Sequence, residues 1–119
     1  MSYAITYSRA YVGIEAPLVS VETHLSSGLP ALTIVGLPET SVKESKDRVR
    51  SAIINAGFEF PAKRITINLA PADLPKEGAR FDLAIAIGLL AASGQLPVDE
   101  VKAYEFVAEL ALSSELRCC

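Results

Sequence analysis

Cysteine, histidine and tryptophan are nearly missing from this sequence of 119 residues: two are cysteine, one is histidine and none is tryptophan. The cysteines, Cys118 and Cys119, are adjacent, and no Cys-x-x-Cys or Cys/His spacing is present, so the sequence offers no ligand set for zinc. The single histidine, His24, lies in a strand-like region far from the serines Ser93, Ser113 and Ser114. We therefore predict no metal site and no catalytic residue.

Long hydrophobic runs and secretion signals are also missing. The longest apolar run, residues 83–92, has ten residues, whereas a membrane helix needs roughly 18. The N-terminal stretch MSYAITYSRAYVG alternates polar and apolar residues and lacks the charged start and apolar block of a signal peptide. We expect a cytoplasmic protein with no membrane partner.

Glycine-rich phosphate-binding motifs are missing as well. A P-loop reads GxxxxGK[ST], but the loop PKEGARFD has one glycine, and Lys76 precedes it. No GxGxxG is present. The sequence therefore predicts no nucleotide cofactor in this chain. The carboxylates of the loop region, Asp73, Glu77 and Asp82, are interpreted as turn formers and a helix cap, with Asp82 favourably placed at a helix start.

The net charge of −3 argues against a DNA-binding surface that covers the whole domain. Six of the eleven basic residues nevertheless lie between positions 43 and 64, opposed there only by Glu44, Asp47 and Glu59, which leaves a local excess of three positive charges. Five of the six are candidate contacts to DNA phosphates or to a partner: Lys43, Lys46, Arg50, Lys63 and Arg64. The first three share one helix flank. The alternative is an ordinary solvated face, because acidic residues interrupt the basic ones.

Periodicity predicts strands near residues 3–12, 14–25 and 30–36, the last two joined as a hairpin by the turn at 26–30. A helix follows over residues 37–58, starting at Pro38 or at a Ser41/Glu44 capping box and stopping at Gly57. Its apolar stripe consists of Val42, Ser45, Val49, Ala52, Ile53 and Ala56. We expect an alternating strand around 63–71, an exposed loop at 71–80, and a helix over 80–94 that is apolar nearly all round. A connector at 95–100, a strand at 104–112 and a turn at 113–116 complete the chain.

The predicted order is β-β-β-α-β-α-β. This order favours an α/β fold in which helices pack on one face of a mixed sheet. Ile85, Leu89 and Ala92 are expected to pack on the sheet beside Val42, Val49 and Ile53.

Two long segments carry a family resemblance: YSRAYVGIEAPLVSVETHLSSGLPALTIVGLPE and the continuation GLPETSVKESKDRVRSAIINAGFEFPAKRITINLAPADLPKEGARFDLAIAIGLLAASGQL. They resemble the N-terminal domain of the magnesium-chelatase-like AAA+ proteins, the ComM/YifB competence family. The resemblance implies a fold similar to the Lon proteolytic domain and to the second domain of a small-subunit ribosomal protein. It covers residues 1–117, with 118–119 as a tail. It also implies a domain incomplete at its C-terminus and an AAA+ ATPase domain, which would bind ATP and magnesium, beyond this chain.

The resemblance bears on the loop PKEGARFD. In Lon proteases the corresponding loop resembles PKDGPSAG, and its serine is the nucleophile. Pro75, Lys76, Glu77 and Gly78 match that frame, but Arg80 holds the serine position. A guanidinium stays protonated and cannot attack a carbonyl. The resemblance therefore implies a degenerate loop and no protease activity in this chain.

Three functions follow from the resemblance as hypotheses. The domain contacts DNA within a hexameric AAA+ helicase that promotes branch migration in natural transformation; the related protein RadA carries a similar domain that binds DNA. Alternatively, it is a degenerate protease or peptide-binding domain. The third hypothesis is a structural cap that assembles the hexamer. The expected partners are the AAA+ domain of the same protein, further copies of the chain, and DNA.

Overall fold

The computed structural model describes residues 2–74, 76 and 79–117. The described residues form six strands and three helices, in the order β1 (Ser2–Arg9), β2 (Leu18–Ser26), β3 (Ala31–Val35), α1 (Glu39–Asn55), β4 (Arg64–Ala70), α2 (Asp82–Ala92), α3 (Val98–Val101), β5 (Glu109–Leu110) and β6 (Leu116–Arg117).

The main sheet has four strands in the order β1-β2-β4-β3, and it is mixed, as predicted. β2 pairs antiparallel with both β1 and β4, whereas β3 pairs parallel with β4. α1 is the crossover between the parallel strands β3 and β4, since parallel neighbours need a long connection.

The predicted hairpin between the second and third strands is wrong. β4 lies between β2 and β3 and pairs with both, so the turn at 26–30 connects two strands that are not neighbours in the sheet. Turn residues mark where a chain reverses, but they do not specify which strands pair. β4 carries Ile65, Ile67 and Leu69, all buried, so it suits a central position.

One face of the sheet is buried beneath the helices, as predicted. Nine of the eleven residues of α2 are buried, and α2 lies on β1 and β2. The Thr6 hydroxyl donates a hydrogen bond to the Ala84 carbonyl oxygen at 2.8 Å. A Cβ at Gly88 would lie 2.8 Å from the Thr23 hydroxyl oxygen, so the glycine allows the helix to approach the strands closely. Leu89 and Ile53 are both buried, which confirms the predicted packing.

α1 begins one turn earlier than a Ser41/Glu44 capping box requires. The helix starts at Glu39 after Pro38, and no side chain caps it. Its buried residues are Ser45, Val49, Ala52 and Ile53. Val42 is half-buried and Ala56 is exposed, so the buried stripe of α1 is shorter at both ends than predicted. The helix stops before Gly57, which has φ +89°, as predicted.

The C-terminal third differs most from the prediction. The connector at 95–100 contains the start of α3, which follows Pro97 and has Asp99 and Glu100 in its first turn, where acidic side chains favour a helix. The strand predicted at 104–112 is reduced to β5, which pairs with β6. The backbone before β5 bonds elsewhere: Phe106 N–H donates to the Tyr7 carbonyl, and Ala108 N–H donates to the Arg80 carbonyl.

The second strand also starts later than predicted, at Leu18 rather than at residue 14. The residues before it form a small excursion closed by mutual backbone hydrogen bonds between Val12 and Glu15. Ile14, at its tip, is fully exposed.

Candidate functional site

The loop between β4 and α2 is anchored by a buried lysine. Lys76 Nζ donates hydrogen bonds to the carbonyl oxygens of Pro71 at 2.5 Å and Leu74 at 2.9 Å. Burial lowers the pKa of Lys76, and Asp73 partly opposes that shift. The expectation of an exposed loop therefore holds for residues 71–73 but is wrong for Lys76. The other matched positions, Pro75, Glu77 and Gly78, lie outside the described residues.

Arg80, which the resemblance predicts to replace the Lon serine, is held against an aromatic ring. Its guanidinium carbon lies 4.1 Å from the centroid of the Tyr11 ring, within the range of a cation–π contact. The Arg80 backbone carbonyl accepts a hydrogen bond from Ala108 N–H at 3.1 Å. Both contacts fix the loop against neighbouring segments.

Asp82 is not a helix cap but the centre of a buried polar cluster. Arg48 Nε donates to its carboxylate at 2.6 Å, Ser45 Oγ at 2.9 Å and Leu110 N–H at 3.3 Å. The bond to Asp82 raises the pKa of Arg48. The cluster joins α1, α2 and β5, so its role is to hold these three elements together. The sequence signal for it is the lone acidic residue at the start of an apolar helix, opposite Ser45 and Arg48 one turn apart on α1.

The described part of the chain contains no group of three or more His, Cys, Asp or Glu side chains that could hold a metal ion. His24 lies half-buried on the sheet face opposite the helices, paired in register with Tyr3 and Thr66. None of the helices formed by the described residues is long and apolar enough to cross a bilayer.

The five predicted basic residues fall into two groups. Lys43 and Lys46 lie in the first half of α1, Lys43 exposed and Lys46 half-buried. Arg50 is one turn further along and lines a cavity of about 310 Å³ with Pro30, Ala31, Ile54, Phe60 and Pro61. Lys63 and Arg64, both exposed, follow the cavity wall directly in sequence. The β3–α1–β4 crossover therefore brings Arg50 close to the start of β4.

The local positive charge is smaller at the surface than in the sequence. Arg48, one of the six basic residues between positions 43 and 64, is bound to Asp82, which lies outside that segment. With Arg48 neutralised, the local excess falls from three to two. Arg9 and Lys102 also form ion pairs, with Glu105 and Asp99 respectively.

Comparison with known proteins places these features in a family. The family described as "Subunit ChlI of Mg-chelatase" matches residues 21–119. The chain is 68% identical over 117 residues to the competence protein ComM of Haemophilus influenzae and 65% identical to YifB of Escherichia coli. It is 37% identical over the same length to a protein of Mycobacterium tuberculosis H37Rv.

Each of these alignments covers 98% of this chain and 23% of the relative, so the chain spans about a quarter of the length of the curated relatives it matches. The family match covers most of the chain, and the similarity to ComM and YifB extends over nearly all of it. The chain therefore belongs to the magnesium-chelatase-like ChlI family, in its ComM/YifB group.

Proposed function

We propose that this chain is the non-catalytic N-terminal domain of a ComM-type AAA+ protein, and that it contacts DNA phosphates. The whole protein would be a cytoplasmic hexameric helicase that drives branch migration in natural transformation. ATP and magnesium would bind its AAA+ domain, and this chain would need no cofactor. The observation that carries DNA contact is the exposure of Lys43, Arg50, Lys63 and Arg64, with Lys46 beside them.

The charges are suited to contacts with the DNA backbone rather than to reading bases. Lys43 and Arg50 are seven residues apart on one flank of α1, about 10 Å along the helix axis. Glu39 and Asp47 interrupt the flank, so a single copy carries only a small positive excess and binds weakly. A hexamer would present six copies of the flank, which increases affinity by avidity. Contacts limited to phosphates suit a motor that moves along any sequence.

The test is a salt titration of DNA binding by the chain and its Lys43→Ala/Lys46→Ala variant, starting at low salt. Each lost phosphate contact lowers the slope of log affinity against log salt concentration by about 0.7–0.9, so we expect the double variant to lower it by about 1.5. Lys102→Ala is the matched control, because Lys102 directly follows α3 and pairs with Asp99 at 3.7 Å. A slope that the double variant leaves unchanged would exclude this flank and favour a role in hexamer assembly.

We further propose that the chain catalyses no peptide hydrolysis. Lys76, the buried lysine of the loop, donates to two backbone carbonyls, and a general base needs a free lone pair instead. Arg80 stands where a nucleophile would be needed. We expect no cleavage of an unstructured substrate such as casein. Cleavage by the purified chain that Lys76→Met abolishes would contradict this proposal and support the degenerate-protease alternative.

A further inference from the structure

The cavity beside Arg50, hereafter the Arg50 cavity, combines a stacked cation with apolar walls. The Arg50 guanidinium carbon lies 4.6 Å from the centroid of the Phe60 ring, so the ring holds the guanidinium at one wall. Pro30, Ala31 and Pro61 supply other walls. The volume of about 310 Å³ is at the lower end of the range for small-ligand sites, about 300–1,000 Å³.

The charge next to the cavity is positive. Lys63 and Arg64 come directly after the wall residues Pro61 and Ala62 and are exposed. Two acidic residues lie near these cations in sequence: Asp47, three residues before Arg50 on α1, and Glu59, four residues before Lys63. The backbone N–H of Glu59 donates to the Gln95 side-chain oxygen at 2.9 Å. An occupant with a planar apolar part and a negative charge close to it matches this arrangement.

We propose that the Arg50 cavity receives one unpaired base of single-stranded DNA, with the base against the Arg50 guanidinium and the neighbouring phosphates on Lys63 and Arg64. The inference rests on the proposed DNA contact, and it specifies that the DNA bound at the Arg50 cavity is single-stranded. Bases of single strands stack on aromatic rings and on arginine guanidinium planes, whereas a base within a duplex is paired and already stacked. The mainly apolar walls offer little for hydrogen-bond readout, so we expect no strong base preference.

The experiment compares binding of a fluorescein-labelled 12-nucleotide oligothymidylate with binding of the same strand in a dT·dA duplex, by fluorescence anisotropy at low salt. Arg50→Lys keeps the charge and removes the planar guanidinium. We expect it to weaken single-strand binding about tenfold, within the range of one lost base stack, and to change duplex binding less than twofold. Phe60→Leu, which removes the supporting ring, should show the same pattern. Arg117→Lys is the matched control and should change neither affinity, because Arg117 is exposed on β6 and does not line the cavity.

The outcomes separate the two proposals. If Arg50→Lys weakens single-strand binding no more than duplex binding, the proposal that the Arg50 cavity receives a base is overturned. If the Lys43→Ala/Lys46→Ala variant still lowers the salt slope in that case, the DNA contact stands without it. Binding of neither DNA form would overturn both. Should Phe60→Leu fail to fold, Arg50→Lys decides alone, because Arg50 is exposed and keeps its charge in that variant.

Discussion

Gly36→Ala is expected to lower the free energy of unfolding of the domain by about 4 kcal/mol. Gly36 joins β3 to the turn before α1 and has φ +101°, a conformation that alanine adopts only with strain. A Cβ at this position would lie 2.4 Å from the carbonyl oxygen of Leu69 on β4. That oxygen belongs to the backbone of a central strand, so it cannot move aside without disturbing the sheet. Urea unfolding followed by circular dichroism measures the loss.

Gly57→Ala is the matched control for this prediction. Gly57 also has a positive φ, +89°, but a Cβ there would have no heavy atom within 4 Å. Its alanine variant therefore incurs the backbone strain without the collision, and we expect a loss of about 1–2 kcal/mol. Equal losses in the two variants would show that the β3–α1 turn relaxes around the new methyl group, contrary to the prediction.

The turn at Gly36 matters for the proposed function because it fixes where α1 begins. Glu39, the first residue of α1, is only three residues further on, and Lys43 and Lys46 follow within the next two turns. The close approach of Gly36 to Leu69 ties this end of α1 to β4, while the crossover returns the chain past Arg50 to Lys63. A partly destabilised Gly36 variant is thus expected to lose DNA contact together with stability, unlike Lys43→Ala/Lys46→Ala.

Local pattern was enough to predict α1, α2 and the buried face of β4, but not the four-residue helix α3. The 3.6-residue repeat of α1 and the two-residue repeat of β4 each report on a single element and its contact with the core. The strong apolar character of α2 likewise predicted a helix buried on most sides, and nine of its eleven residues are buried. The mixed-sheet fold with helices on one face follows from these elements and their order.

Strand order was not predictable by the same reasoning. Placing β4 between β2 and β3 depends on pairing residues that are 33 or more positions apart in sequence, such as Ala31 with Arg64 and Ser26 with Arg64. A hairpin and a crossover can both follow the same turn residues, and only the summed packing of the strands decides between them. The predicted strand at 104–112 was too long, since only β5 forms within it, and β6 was missed. A pairing of two residues on each strand leaves no periodicity in the sequence.

The candidate site was predictable only where its residues lie close together in sequence. Helical spacing placed Lys43, Lys46 and Arg50 on one flank, but the cavity that unites Arg50 with Phe60 and the start of β4 depends on the crossover. Arg48 was counted with the surface charges although it binds Asp82, 34 residues away. The sequence around Arg48 contains no sign that this arginine turns inward; the signal lies at Asp82, the lone acidic residue at the start of an apolar helix.

Asp82→Ala is expected to destabilise the domain by about 3 kcal/mol. The Asp82 side chain is 1% exposed, and it accepts hydrogen bonds from Ser45, Arg48 and Leu110 N–H. Removing one partner of a buried ion pair typically costs 3–5 kcal/mol, because the remaining charge is left without compensation. The Arg48 side chain is 21% exposed, so water reaches it in part, and we place the effect at the lower end of that range. Thermal and urea unfolding both measure it.

Glu44→Ala separates the buried contact from the exposed one on the same arginine. Glu44 lies 3.8 Å from Arg48 and its side chain is 73% exposed, so this pair should contribute well under about 1 kcal/mol. The double variant Arg48→Met/Asp82→Leu removes both buried charges and should recover much of the loss of Asp82→Ala, as apolar replacements of buried ion pairs often do. If Asp82→Ala costs no more than Glu44→Ala, the cluster does not hold α1, α2 and β5 together. The position of the basic flank of α1 would then depend on apolar packing and on the Gly36 turn alone.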